Sequence, residues 1–360
     1  MIHLQISPWQ VILSPSHFNS SDLFKSFNKA CSILHYYSFP CILQYCFTAH
    51  LLKVMLDLGF VSAILAEHSF EEVMAYAAAN GFTCVEIMCW PRNNSDARRY
   101  AGVSHIDVEA LDAASISHIQ AVQQQTGVYI SGLGYYPNPL DADESQGAFF
   151  RAHIQKVIKA ASALGIPVVN TFIGRDQFKN IPDNLKKFAQ VWPEIIKTAE
   201  AYNVKIGIEN CPMFFSNDEW PGGKNLAISP AVWGQMFELI PSRVFGLNYD
   251  PSHLVWQMMD PIRPIYDYKD RLHHIHLKDA KVYPDKLNRV GIMANPLEYH
   301  SPKLPGLGDV NWRQFFAALT DVRYRGPVCI EVEDKAYEGS AADVNSAILT
   351  ARNYLRQFLG

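Results

Sequence analysis

The 360-residue sequence has no run of basic residues, no C-x-x-C pair and no glycine-rich turn after its first strand-like stretch. Each absence removes a class of function. There are 31 Lys and Arg against 35 Asp and Glu, a formal net charge of −4, and no basic block that would track a nucleic-acid backbone. The seven cysteines (Cys31, Cys41, Cys46, Cys84, Cys89, Cys211 and Cys329) are odd in number. They argue against a disulfide framework and a cysteine zinc site, and fit a reducing, cytoplasmic setting. "FVSAILAEHS" lacks the phosphate turn of a doubly wound dinucleotide fold, and "GLG" at 132–134 does not replace it.

What is present is a composition of 49% hydrophobic and 18% charged residues, enough for a sizeable core. The first 54 residues differ from the rest. They hold four charged side chains (Asp22, Lys25, Lys29 and Lys53) but three of the seven cysteines. The uncharged stretch between Lys29 and Lys53 raises a membrane reading, which Pro40, His35, His50 and Gln44 oppose. With no positive charge before Lys25, a signal peptide is poorly supported. Strand-like order begins only after Met55. The expectation is therefore an N-terminal extension over 1–54, outside the fold, a functional start near Met55, and one domain over 55–360.

From Leu58 onward short apolar runs alternate with amphipathic ones. Strand candidates are "LGFVSAI" (58–64), "CVEIMCW" (84–90), "VYISGLGYY" (128–136), "VVNTFIG" (168–174) and "KIGIENC" (205–211). They continue with "VFGLNYD" (244–250), "LHHIHLKD" (272–279) and "PVCIEVED" (327–334). Helix candidates fall at 69–80, 146–164, 183–202, 311–322 and 341–359, with Ser69 and Glu72 spaced as a capping box. Eight such units predict an α/β fold of the (β/α)8, or TIM-barrel, type.

Active sites of such barrels lie at the C-terminal strand ends, where side chains alternate inward and outward. Four late strands deliver metal-competent residues there: Glu209, Asp250, His276 and Glu331. On the same alternation Gly207, Cys211, Asn248, His274, Lys278, Cys329 and Glu333 share the lumen. Ile206, Ile208, Leu247, Tyr249, Ile275, Leu277, Ile330 and Val332 face the helices. Alone, each polar residue has a plain structural role, such as a Glu331–Lys278 ion pair. Together, three carboxylates repel unless a cation joins them. With no thiolate in the set, Mn²⁺, and after it Mg²⁺ or Co²⁺, suits better than structural zinc. Glu86 and Trp90, at the end of the second strand, are placed to line a substrate pocket, and Tyr135 and Tyr136 could do so from the third.

The motifs "IEN" (208–210), "DPSH" (250–253), "HLKD" (276–279), "PGLGDVNW" (305–312) and "IEVED" (330–334), in this order, resemble the xylose isomerase-like TIM-barrel superfamily. Within it they are similar to the sugar phosphate isomerase and epimerase group. The resemblance covers about 56–360. It implies that Glu209, Asp250, His276 and Glu331 hold one divalent metal and that His253 contacts substrate. It also implies a metal-dependent isomerase or epimerase of keto- or aldo-sugars, with Glu209 and Glu331 passing a proton through an enediolate. Lys278 would neutralise substrate oxygen charge. A keto-sugar or inosose dehydratase would use the same site, and a non-catalytic sugar-binding barrel is the remote alternative. The DNA-repair endonucleases of the superfamily need further histidines, which "GLGYY" and "NTFIG" do not offer. Some ketose epimerases have an arginine where this chain has Val282. The long segment 282–304, with Arg289 and His300, then reads as a lid or specificity arm. Barrels of this group associate with copies of themselves, although the sequence does not set the oligomeric state. The implied partner is a small carbohydrate, with no membrane.

Overall fold

The structure is a computed structural model and describes residues 56–92, 102–214 and 216–359. The expected extension at 1–54 lies outside the described residues. The described residues form ten strands: β1 (Leu58–Val61), β2 (Cys84–Met88), β3 (Tyr129–Gly134), β4 (Val168–Thr171) and β5 (Lys205–Glu209). Then follow β6 (Phe245–Tyr249), β7 (Leu272–Leu277), β8 (Asp279–Val282), β9 (His300–Lys303) and β10 (Val328–Ile330). Strands β1 to β7 and β10 close in chain order into an eight-stranded parallel barrel, β10 pairing with both β7 and β1. The expected TIM barrel is the observed fold. Strands β8 and β9 form a separate antiparallel hairpin between barrel strands β7 and β10.

Helices α1 (Phe70–Ala79), α2 (Ala113–Thr126), α3 (Glu144–Leu164), α4 (Ile181–Ala201) and α5 (Pro230–Leu239) follow the first five strands. Short α6 (Ser252–Val255) and α7 (Arg263–Asp267) lie between β6 and β7, and α8 (Pro284–Val290) sits inside the hairpin. Two last helices, α9 (Trp312–Asp321) and α10 (Ala341–Leu359), flank β10. Helix α1 starts as anticipated, because Ser69 and Glu72 cap each other's backbone N–H groups. Helix α2 has little apolar patterning to announce it; its start is fixed by Asp112 accepting from Ser115 N, and Gly127 ends it at φ +68°. No helix of the described residues is long and apolar enough to cross a membrane.

The alternation read from the late strands holds. Ile206, Ile208, Leu247, Tyr249, Ile275, Leu277 and Ile330 are fully buried, and Val332 nearly so. Helix α4 shows how the outer layer attaches. Leu185, Phe188, Trp192, Ile195, Ile196 and Ala199 recur at helical spacing and are all buried. Phe188 stacks on Phe245 of β6 at 5.9 Å, and Trp192 Nε1 donates to Ile173 O at 3.1 Å. Burial of such rings is what drives the layers together.

Candidate metal centre and its cavity

The barrel register sets the site before any side chain is considered. Glu209 pairs with Asn248 across β5 and β6, and His276 with Cys329 across β7 and β10. Chain ends are then locked locally. Asn210 Oδ1 accepts from Asp250 N at 2.8 Å, while Asn210 Nδ2 donates to Asp250 O at 2.9 Å. Pro251 turns the chain into α6, and Ser252 N donates to Asp250 Oδ1 at 2.8 Å. That occupies one carboxylate oxygen and turns Oδ2 toward the barrel axis.

Four carboxylates gather around one ammonium. Lys278 Nζ lies 2.7 Å from Glu331, 3.0 Å from Glu333, 3.1 Å from Asp250 and 3.9 Å from Glu209. Burial works against a charged lysine here, but Glu331, Glu333, Asp250 and Glu209 outweigh it and raise its pKa well above the usual value. His276 Nδ1 faces the same group, 3.4 Å from Glu331 and 3.9 Å from Glu209. His253 Nε2 lies 3.2 Å from Asp250 and 3.4 Å from Glu209. Burial would raise the Glu209 carboxyl, yet His253, His276 and Lys278 pull it below the ordinary range, so it is ionised at neutral pH. Asp250 is lowered in the same way, chiefly by Lys278 and His253 working against burial.

The residues fit a divalent cation. Ligand atoms of Glu209, His276 and Glu331 lie within 4.8 Å of one another. Asp250 Oδ2, His253 Nε2 and His276 Nδ1 are buried and form no hydrogen bond of standard geometry among the described residues, although Asp250 Oδ2 lies 3.1 Å from Lys278 Nζ and 3.2 Å from His253 Nε2. Carboxylates and an imidazole nitrogen gathered in this way are a donor set of the kind that divalent cations take. A second ligand-like set, Glu86, His274 and His276, lies deeper and is saturated. There His276 Nε2 meets Glu86 at 2.8 Å, His274 Nδ1 meets Asn248 Oδ1 at 3.0 Å, and Ser131 Oγ meets His274 Nε2 at 3.1 Å.

Glu86 and Trp90, expected to line a substrate pocket, lie apart from the cavity that adjoins the cluster. Glu86 is fully buried and does not line the cavity; it sits under His276, with Tyr136 OH donating to its other oxygen. It lies two residues before the end of β2 and so points into the barrel one layer below the mouth, where Gly134 leaves room for it. Trp90, also buried, packs edge-on against Tyr135 at 4.9 Å and is likewise outside the cavity wall. His253 differs from the other cluster residues in its hydrogen bonding. Trp256 Nε1, a donor only, reaches His253 Nδ1 at 3.3 Å, so the ring proton belongs on Nε2, toward Glu209 and Asp250.

Sequence reading did not assign Asp279 a role. Its carboxylate accepts from Ala280 N (2.9 Å), Gly306 N (3.0 Å), Val310 N (3.0 Å) and Trp312 Nε1 (2.8 Å). It therefore ties "PGLGDVNW" to the end of β7, and a Cβ at Gly308 would collide with it. The signal was the acidic residue closing "HLKD".

A cavity of about 680 Å³ adjoins the cluster. Its wall includes Cys211, His253 and Glu333 on the cluster side, and Lys286, Leu297, His300 and Lys303 from the hairpin arm. The segment expected as a lid or specificity arm thus forms one wall of this space, tied across by Asn295 Nδ2 donating to Asn217 Oδ1 at 2.9 Å. Arg289 is not among the wall residues.

A closed parallel barrel with a carboxylate–histidine cluster at its C-terminal mouth has the layout of a barrel enzyme's active site. The chain belongs to the xylose isomerase-like TIM-barrel family, whose model matches residues 74–357. It is 26% identical over 313 residues to the uncharacterized protein YfiH of Bacillus subtilis, covering 78% of this chain and 93% of that one. It is 26% identical over 125 residues to the inosose dehydratase of Clostridium tetani, covering 34% of this chain and only 41% of the dehydratase. Among solved structures, D-psicose 3-epimerase with D-tagatose from Clostridium cellulolyticum superposes with a TM-score of 0.61 at 15% identity, covering 84% of this chain and 99% of that one. The IolI protein with a bound zinc atom superposes at 0.62 and 17%, covering 84% and 98%.

Proposed function

We propose that this protein is a divalent-metal-dependent sugar isomerase or epimerase that moves a proton at the carbon next to a carbonyl. The observation that carries the reading is the clustering of Glu209, Asp250 and Glu331 about Lys278, with His276 Nδ1 facing Glu331 and Glu209. The sugar-epimerase and dehydratase names of the relatives support it. Glu209, Asp250, His276 and Glu331 would hold the cation, Mn²⁺ by the hardness of the set, with Mg²⁺ or Co²⁺ as substitutes. When bound, such an ion polarises a carbonyl as a Lewis acid.

The protein's own groups do the rest. Glu209, ionised at neutral pH, accepts the proton from the carbon beside the carbonyl. Glu331, whose Oε2 receives a hydrogen bond from Lys278, would deliver a proton taken up from solvent on its other oxygen to the planar enediolate from the opposite face. Glu209 would then release the substrate's proton to solvent, which resets both groups. Lys278 donates to the developing oxyanion, and His253 Nε2–H holds a neighbouring substrate oxygen. Glu86 keeps the His276 ring turned. Return of the proton to the same carbon inverts it, and delivery to the adjacent carbon isomerises the sugar.

The test is incubation of keto-sugars with the Mn²⁺-loaded protein in deuterated water. Incorporation of deuterium at the carbon next to the carbonyl, lost in Glu209→Gln and Glu331→Gln, is the expected result. Turnover without exchange, as in a hydride shift, would overturn it. The inosose dehydratase relatives favour one second reading, in which the same proton abstraction expels a β-hydroxyl. A product lighter by one water in the mass spectrum would identify that outcome.

A further inference from the structure

Two oxygens limit what the cluster can hold at one time. Ser252 N already takes Asp250 Oδ1, so Asp250 offers Oδ2, and Lys278 Nζ stands 3.1 Å from that atom. Glu331 Oε2 lies 2.7 Å from the same Nζ and 3.4 Å from His276 Nδ1. A divalent cation held by Asp250, Glu331 and His276 would therefore meet the atoms that the ammonium now faces. Both are positive, and their close approach is repulsive. The backbone at Lys278 is held on both sides, by β7 before it and by Asp279 with its four donors after it. The adjustment falls to the lysine side chain, whose four-carbon stem is flexible.

The Lys278 side chain is almost wholly buried, so wherever the ammonium settles it needs a carboxylate. Glu333 Oε2 lies 3.0 Å from Nζ, and Glu333 is the most exposed of the four carboxylates around it. It is also the one that lines the neighbouring cavity, so it approaches Nζ from that side. The other charged groups of the cavity wall cannot take its place. Asp334 is engaged by Lys303 at 3.0 and 3.2 Å, and Lys286, Lys303 and Lys335 are themselves cationic. The aromatic part of the wall, Trp256 stacked on His300 at 4.9 Å, offers no carboxylate.

We propose that Glu333 is a positioning residue, which keeps the Lys278 ammonium paired while Glu209, Asp250, His276 and Glu331 hold a divalent cation. Glu333 thereby sets the metal affinity of the protein without being a ligand. It also keeps Nζ between the cluster and the cavity, where the proposed reaction needs a donor to a substrate oxygen. The inference rests on the metal reading of the cluster and adds Glu333 to its working parts.

The test is Mn²⁺ affinity, measured by competition with a fluorescent chelator, in a double-mutant cycle over positions 278 and 333. Glu333→Gln is expected to weaken binding about tenfold or more, because the cation then leaves a buried ammonium without its carboxylate. Glu333→Asp, which keeps the charge, should restore most of the affinity. Lys278→Met should bind Mn²⁺ more tightly than the wild type, since the competitor is gone. In the Lys278→Met background Glu333→Gln should change the affinity by less than about threefold, as no ammonium remains to be held. Circular dichroism checks that each variant is folded, and Lys278→Gln takes the place of Lys278→Met in the cycle if the latter is not. Equal weakening by Glu333→Gln in both backgrounds would overturn the inference and make Glu333 a ligand or a distant charge, with the metal reading left standing. A Lys278 variant that binds no more tightly than the wild type would overturn it in the same way. A wild type that binds none of Mn²⁺, Mg²⁺ and Co²⁺ would overturn the metal reading, and this inference with it.

Discussion

Glu86 and His276, 190 residues apart in sequence, meet at 2.8 Å with neither side chain exposed. The contact pins the Nε2 proton toward Glu86 and leaves Nδ1 facing Glu209 and Glu331. Glutamine at position 86 keeps the volume but not the charge. Glu86→Gln is expected to weaken Mn²⁺ binding about 10–100-fold, as loss of a carboxylate behind a ligating histidine does elsewhere. A competition titration against a fluorescent chelator measures this, and an unchanged affinity would leave Glu86 only a packing role.

Lys278 and a divalent cation would answer to the same carboxylates. Lys278→Met leaves Glu209, Asp250, Glu331 and Glu333 without their ammonium. In EDTA the variant should lose about 3–5 kcal/mol of stability, the size seen when one partner of a buried ion pair is removed. Added Mn²⁺ should restore much of the lost Tm. A melting temperature indifferent to Mn²⁺ would show that the carboxylates do not share a cation.

Asp279 collects four donors in a buried position. Asp279→Ala should cost about 3 kcal/mol or more, since each buried hydrogen bond to a charged group is worth about 1.5–3 kcal/mol and the freed N–H groups stay buried. Urea unfolding gives the value. A loss under about 1 kcal/mol would mean that "PGLGDVNW" is held by its other contacts.

His300 ties stability to pH. Its folded pKa, about 4, lies below the ordinary value of a histidine, about 6.5, because burial disfavours the imidazolium. The unfolded chain therefore binds the extra proton first, and His300's contribution, complete above about pH 6.5, is lost as pH falls through about 4. Between pH 7 and 5 this amounts to about 2 kcal/mol. His300→Phe, which can still lie on Trp256, should show a smaller drop in Tm over that interval than the wild type. An identical drop would remove His300 as the cause.

Much of the barrel was legible because its signals are local. Ile206, Ile208, Leu247 and Tyr249 alternate with polar residues, and that period alone assigns two faces to a strand. The strand ends then brought Glu209, Asp250, His276 and Glu331 to one mouth. Glu86 was harder, because nothing in "CVEIMCW" says how deep in the barrel its third residue will stand. The depth depends on strand register, and β2 shifts against β3 between Val85 and Glu86. The hairpin of β8 and β9 was seen as a long insertion without its pairing, since "DAKV" and "HSPK" carry little apolar alternation. Asp279 and Gly306 are linked only through the folded loop, a relation that no spacing rule reports.

Four consecutive residues, from the end of strand β7 to the first residue of β8, deliver His276 and Lys278 to the carboxylate cluster and Asp279 to the loop that anchors the arm. Because successive strand residues point to opposite faces, one inserted residue here would exchange their destinations together. The arm beyond it, by contrast, forms one wall of the neighbouring cavity. Descendants of this sequence are thus free to lengthen, shorten or redecorate 282–304 and so change what they accept. The segment 276–279 has no such freedom, and its spacing should be the slowest-changing feature of the lineage.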